Sequence, residues 1–125
     1  MASSQVVKVL IVDDDVVTRR IYRTMLLRFG FEITEAGDGK SAVNQFLTGN
    51  EYDLILMDND MPGMNGVEAT RTLRGMGILA KIIAITADDA NSRGAFLDAG
   101  ADEFLLKPVN FTMLTVILKA FNFLN

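Results

Sequence analysis

Apolar residues fall along this chain in two alternating rhythms. Val6–Val12 (VVKVLIV) is a short run rich in β-branched side chains, and Phe31–Ala36 is a shorter, alternating one. Leu54–Met57 (LILM) and Ile82–Ile85 (IIAI) are continuous, and Glu103–Leu106 (EFLL) is a fifth. Continuous apolar runs of this length fit strands buried on both faces, as in parallel sheets. Between the runs lie helical patterns. Val17, Ile21 and Met25 recur at helical spacing up to Arg28–Phe29, with Arg19, Arg20 and Arg23 on other faces and Gly30 as the stop. Asp38 caps a second helix through Ala42, Val43, Phe46 and Leu47, stopped by Gly49. A weaker third runs from Asn65 to about Leu73, and Asp88 or Asp89 caps a fourth that ends at Gly100. After Pro108, the residues Met113, Val116, Ile117, Ala120, Phe121 and Leu124 form the clearest stripe of all.

Strand and helix therefore alternate five times. That pattern predicts an α/β domain with a parallel sheet, helices on both faces and right-handed crossovers. In such sheets ligands bind outside the carboxyl ends of the strands. Those ends are chemically loaded here. The first strand runs into Asp13, Asp14 and Asp15, and the third into Asp58, Asn59 and Asp60. The fourth ends at Thr86, and the fifth at Lys107 before Pro108.

Taken singly, these residues mean little. An aspartate after a strand is usually a turn or helix-cap residue, and Asp15 reads as one. The conjunction carries the weight. Acids from two neighbouring strands cannot crowd together without a cation, because like charges at short range force proton uptake. An oxygen-only ligand set points to a hard ion such as Mg²⁺, which keeps several waters and favours one or two carboxylates plus a phosphate. Such a metal and the Lys107 ammonium together would neutralise a transferring phosphoryl group, toward which a carboxylate is otherwise a poor nucleophile. Thr86 can donate to a phosphoryl oxygen. Asp58 is the natural acceptor, because it leaves the buried LILM strand alone while Asp13 and Asp14 face it as a pair.

Composition narrows the options further. The chain has 125 residues, one domain's worth, and half of them are hydrophobic. It has no cysteine and no histidine, which excludes disulfides, thiolate or imidazole metal sites and an internal histidine phosphodonor. Twelve basic against sixteen acidic side chains give a net charge of −4, the wrong sign for a nucleic-acid binder. No run approaches membrane-spanning length. Met1–Gln5 reads as a loose, disordered leader and residues 6–125 as the domain. Met57, Met61 and Met64 read as packing residues. In the last helix Leu114, Leu118 and Phe123 exceed one buried stripe, either as ordinary surface or as a partner face.

The segments VLIVDDD (Val9–Asp15), DLILMDNDMPGMNG (Asp53–Gly66), IIAITA (Ile82–Ala87) and AGADEFLLKP (Ala99–Pro108) carry a resemblance. In that order and spacing, from Lys8 to about Phe121, the chain resembles a response-regulator receiver domain. The resemblance implies a single doubly wound (βα)5 domain, flavodoxin-like, with strand order 2-1-3-4-5. It implies Asp58 as phosphoacceptor in a reaction supported by Mg²⁺ or Mn²⁺. The metal ligands would be Asp14, Asp58 and the backbone carbonyl of Asp60, with Asp13 acting through water. Thr86 and Lys107 would read the phosphoryl group, and Phe104 occupies the aromatic switch position, turning inward when Thr86 moves. The donor would be a histidine kinase or a histidine phosphotransfer protein, and the group would leave by hydrolysis or back-transfer. The resemblance implies no conventional turnover enzyme. The acidic charge and short apolar runs predict no nucleic-acid or membrane partner, and, with no targeting segment evident, a cytoplasmic monomer or weak dimer is expected.

Leu56–Gly77 and Arg93–Pro108 further resemble short plant regulators of type C, which lack an output domain and act in multistep phosphorelays. That implies cytokinin signalling in cytoplasm and nucleus. A receiver from a hybrid histidine kinase, or a free-standing bacterial regulator, would look much the same. Among rivals, a haloacid-dehalogenase-type phosphatase also puts acids two residues apart after a strand, like Asp58 and Asp60. Its nucleophile normally leaves the first strand, and Met61–Pro62 stand where it has threonine. A flavin or nucleotide binder would need a glycine- or hydroxyl-rich first loop, whereas this one is acidic. A pure interaction module is opposed only by the intact set of acids.

Overall fold

The structure, a computed structural model, describes residues 6–87 and 90–125. The elements alternate as β1 (Lys8–Val12), α1 (Val16–Leu27), β2 (Glu32–Ala36), α2 (Gly39–Leu47), β3 (Leu54–Asp58), α3 (Gly66–Gly75), β4 (Lys81–Thr86), α4 (Arg93–Ala99), β5 (Glu103–Leu106) and α5 (Phe111–Ala120). All strand pairs are parallel, in the order β2-β1-β3-β4-β5, so β3 lies at the centre. Both the alternation and the strand order agree with the sequence reading.

The continuous apolar strands are explained by two cores. Successive side chains of a strand point to opposite faces. Leu10, Val12, Ile55, Met57, Ile82, Ala84 and Phe104 face one way, against Ala42, Val43, Ala69, Leu73 and Phe96 of α2, α3 and α4. Val9, Ile11, Leu54, Leu56, Ile83, Ile85 and Leu105 face the other, against Tyr22 and Leu26 of α1 and Leu114 and Leu118 of α5. Each fully buried Leu, Ile or Phe contributes about 1.5–3 kcal/mol, which makes the sheet a stiff platform for its own carboxyl edge.

The helices begin where local chemistry tells them to. Asp15 accepts hydrogen bonds from Val17 and Thr18 N–H, and Asp38 from Ser41 N–H. Asn65 and Glu68 form a reciprocal capping box on α3, and Asn110 accepts from Met113 N–H at the start of α5. Each cap contributes about 1 kcal/mol. Gly100 ends α4 at φ 113°, a left-handed position where a Cβ would also run into the Arg74 side chain.

Two stripes match the buried face only in part: Met25 and Phe29 near the end of α1, and Met113, Ile117, Phe121 and Leu124 in and after α5, pack against the core as expected. In α1 the core takes Tyr22 and Leu26, while Val17 is 60 % and Ile21 49 % exposed. In α5 the core centre is Leu114 and Leu118, two of the three residues expected to be surplus, and Val116 of the expected stripe is 63 % exposed. Helix α4 is also shorter than expected, entered through a 3₁₀ turn at Ala90–Ser92. The expected leader Met1–Gln5 and the expected caps Asp88 and Asp89 lie outside the described residues.

Candidate functional site

The carboxyl edge of the sheet gathers the predicted residues. Asp13 follows β1, Asp58 closes β3, Thr86 closes β4, and Lys107 follows β5. Because β1 and β3 are hydrogen-bonded neighbours, their terminal acids meet. Carboxylate oxygens of Asp13, Asp14 and Asp58 all lie within 4.8 Å of one another. Asp13 is 1 % and Asp58 3 % exposed, whereas Asp14 is open to solvent.

Lys107 enters this cluster from the far side. Its Nζ donates to Asp13 Oδ2 at 3.0 Å and lies 3.2 Å from Asp58 Oδ1. The first contact is a directed hydrogen bond. The second pairs charges without one, and Asp58 Oδ1 is a buried oxygen that accepts no directed bond. Burial, followed by the Asp13 carboxylate, pushes the Asp58 carboxyl up to about 6. Burial also opposes the charge on Lys107, but its bond to Asp13 and the charge of Asp58 outweigh that and hold the ammonium well above the usual lysine range. The Tyr22 phenol packs alongside, pushed by burial up to about 12. Sequence reasoning reserved Lys107 for an incoming phosphoryl group. In this structure it is the cation that already separates two buried acids.

Asp15 caps α1 as expected and does not join the cluster. The Asp60 side chain is exposed in the turn after β3, outside the carboxylate set, so only its backbone carbonyl is available for the expected role. Thr86 is fully buried, and its carbonyl accepts from Lys107 N–H at 2.9 Å, which joins the ends of β4 and β5. Phe104 pairs in register with Ala84, so Phe104 and Thr86 share the sheet face that α4 covers. Phe104 is 6 % exposed, its centroid 6.2 Å from that of Phe96 and the Arg93 guanidinium 5.8 Å from its ring. The ring therefore already occupies the inward position that the resemblance reserved for the phosphorylated form.

Two supporting residues were missed. Arg19, placed on an idle face of α1 by the periodicity, donates from Nη1 to the Asp13 carbonyl at 2.7 Å. Gly66, the first residue of α3, packs so tightly under the site that a Cβ would collide with the Asp58 carbonyl and the Phe96 ring. The NG dipeptide at Asn65–Gly66 was a visible signal for a close backbone approach. Nothing in a helical wheel distinguishes Arg19 from Arg20.

The donor set suits a divalent cation. It is all oxygen, it holds a buried oxygen without a directed partner, and its three acids outnumber the one ammonium. Chemically, the edge presents a carboxylate on a rigid central strand, flanked by acids on one side and an ammonium on the other.

Comparison with known proteins gives a consistent answer. The family model described as response regulator receiver domain matches residues 9–119. Two-component response regulator 24 of Arabidopsis thaliana is 42 % identical over 115 residues, covering 91 % of this chain and 83 % of its own length. The Vibrio cholerae chemotaxis protein CheY4 superposes with a TM-score of 0.85 at 28 % identity, over 93 % of this chain and 98 % of its own. The Thermotoga maritima response regulator TrrA, solved in complex with Mg²⁺–BeF, gives a TM-score of 0.81 at 36 % identity, over 91 % of this chain and 97 % of its own.

Proposed function

The chain belongs to the response-regulator receiver family, and on that premise we propose that Asp58 is the residue that takes the phosphoryl group. Receivers of this kind serve two-component phosphorelays, and relatives covered over three quarters or more of their length are response regulators. The observation that carries the assignment is the position of Asp58. It is the last residue of the central strand, buried, with an oxygen lacking a directed partner and Lys107 3.2 Å away.

In the proposed step an Asp58 carboxylate oxygen attacks phosphorus. A P–O bond forms as the P–N bond to a histidine of the donor breaks. The electron pair stays on the imidazole nitrogen, which takes a proton from solvent. Lys107 turns from Asp58 to an oxygen of the transferred group, and the Thr86 hydroxyl donates to another. Asp14, Asp58 and the Asp60 carbonyl would hold Mg²⁺, with Asp13 acting through water. The ion supplies charge neutralisation of the transferring oxygens. The group would leave by hydrolysis or by return to the donor.

The donor would be a protein bearing phosphohistidine, either a histidine phosphotransfer protein or a histidine kinase. Supporting this, Val17, Ile21 and Met25 line a shallow groove on α1 with Arg20 and Thr24. A second hollow of about 180 Å³, lined by Thr18, Ile21, Tyr22, Lys107, Pro108 and Val109, shares Ile21 with that groove and reaches Lys107. A partner seated there would bring its histidine to the rim beside Asp58.

The test is chemical. With Mg²⁺ and acetyl phosphate, intact mass should rise by one phosphoryl group, labile to alkali as an acyl phosphate is. The Asp58→Asn variant should take up none. Equal labelling of that variant overturns the assignment.

A further inference from the structure

Asp13 is held at every polar atom. Its N–H donates to the Ala36 carbonyl at 3.2 Å. Its Oδ1 accepts from Asp15 N–H at 2.9 Å and its Oδ2 from Lys107 at 3.0 Å. The fourth tie is Arg19 Nη1 on the Asp13 carbonyl, at 2.7 Å the shortest of the set. The same guanidinium donates from Nε to Glu35 Oε1 at 2.9 Å, and Glu35 Oε2 in turn takes Arg23 Nη1 at 3.3 Å. Glu35 sits on β2 in register with Ile11 of β1, so its position is fixed by the sheet. Arg19 and Glu35 side chains are 18 % and 24 % exposed.

We infer that Arg19 is a positioning residue for the acidic pocket, setting its affinity for Mg²⁺. This rests on the reading of Asp14 and Asp58 as metal ligands. A guanidinium with two acceptors at fixed spacing cannot swivel. It therefore fixes the Asp13 carbonyl and the Asp13–Asp14 peptide plane, and with them the direction in which Asp14 leaves the backbone. A lysine ammonium is a single point of donors and cannot reproduce the two separated, rigidly spaced donor positions of the guanidinium. Groups that orient a ligand without touching the metal typically govern affinity by 10–100-fold.

The sign of the effect separates this role from simple charge. Arg19 is a cation beside an acidic cluster, so by Coulomb's law its removal should strengthen binding of a second cation. Loss of orientation weakens it. A purely structural role lowers stability in chelator and leaves the affinity of the folded protein alone.

Titration of the intact chain with Mg²⁺ by calorimetry decides the matter. Arg19→Ala should bind Mg²⁺ about tenfold or more weakly than wild type. Arg19→Lys, which keeps the charge, should retain most of that loss. Glu35→Ala should weaken binding in the same direction, and Glu35→Gln, whose amide oxygen still accepts from Nε, should restore it. If Arg19→Ala does not fold, the two Glu35 variants carry the test. Unchanged or tighter binding in Arg19→Ala or Glu35→Ala, with Asp14→Asn weakened as expected, overturns the role of Arg19 alone. Unchanged binding in Asp14→Asn and Asp58→Asn overturns the metal-site reading, and this inference with it.

Discussion

Neutralising Asp58 should stabilise the protein in the absence of metal. Its carboxyl is raised from 3.8 to about 6, by burial first and the Asp13 charge second, even with Lys107 adjacent. A raised folded value means the protonated form is favoured in the fold. The resulting stabilisation is complete below the unfolded value near 4 and is lost as pH rises through about 6. At about 1.4 kcal/mol per pH unit, ionised Asp58 lowers stability by ~3 kcal/mol at pH 7.5 relative to an unstrained carboxylate. Asp58→Asn removes that charge in nearly the same volume and leaves Lys107 its bond to Asp13. Lys107 is raised as well, but its contribution is lost only in alkali, outside this window. The assay is urea unfolding in chelator at pH 5 and pH 7.5. With a urea slope of about 2 kcal/mol per M, the variant's midpoint should exceed wild type by roughly 1–2 M at pH 7.5, with a smaller gap at pH 5. Saturating Mg²⁺ should raise wild type and not the variant. A variant less stable than wild type at pH 7.5, or a wild type indifferent to pH across that range, refutes the reasoning.

Gly66→Ala should destabilise by about 2 kcal/mol or more, since the new methyl meets the Asp58 carbonyl and the Phe96 ring, and should slow labelling by acetyl phosphate; normal labelling and stability would contradict the close packing. Arg74→Ala should cost about 2–4 kcal/mol in urea unfolding, because Arg74 donates to the carbonyls of Ile78, Ala80 and Gly100 and to Asp102, while labelling of the folded variant stays normal. Asp60→Asn should slow loss of the phosphoryl group, because the exposed carboxylate two residues past the acceptor either repels the group or orients water at it; faster decay in a phosphate-release assay sinks that idea.

Much of this site was legible because strand ends are legible. Four apolar runs end in Asp13, Asp58, Thr86 and Lys107, and parallel topology puts such ends on one edge. The caps were legible too, since Asp15, Asp38 and Asn65 precede helical spacing. Helix faces were not. Val17 and Ile21 are as apolar as Tyr22 and Leu26, and hydrophobicity does not distinguish a stripe that meets the sheet from one left at the surface. In α5 the buried face is wider than the stripe read from sequence: Met113, Ile117, Phe121 and Leu124 pack against the core as expected, but Leu114 and Leu118 lie at its centre and Val116 is left out. Arg19 was illegible because its importance depends on a carbonyl direction. Phe104 was singled out by resemblance alone, and its packing beside Phe96 depends on α4, an element whose approach no local pattern states.

The charge balance of the pocket explains why its parts must exchange partners. When Asp13, Asp14 and Asp58 are ionised, Lys107 leaves two negative charges uncancelled, the amount one divalent cation supplies. Phosphorylation of Asp58, as proposed, would replace one carboxylate charge by about two on an acyl phosphate. The pocket then needs more positive charge in contact with the new group. Lys107, whose nitrogen lies 3.0 Å from Asp13 and 3.2 Å from Asp58, would meet that need by turning toward the new group. Asp13 would keep its bonds to Asp15 N–H and, through its carbonyl, to Arg19, so it would hold its place even as its bond to the ammonium loosens. A pocket built this way separates two tasks. Backbone and guanidinium ties hold the acids still, and one flexible ammonium is left to follow the charge.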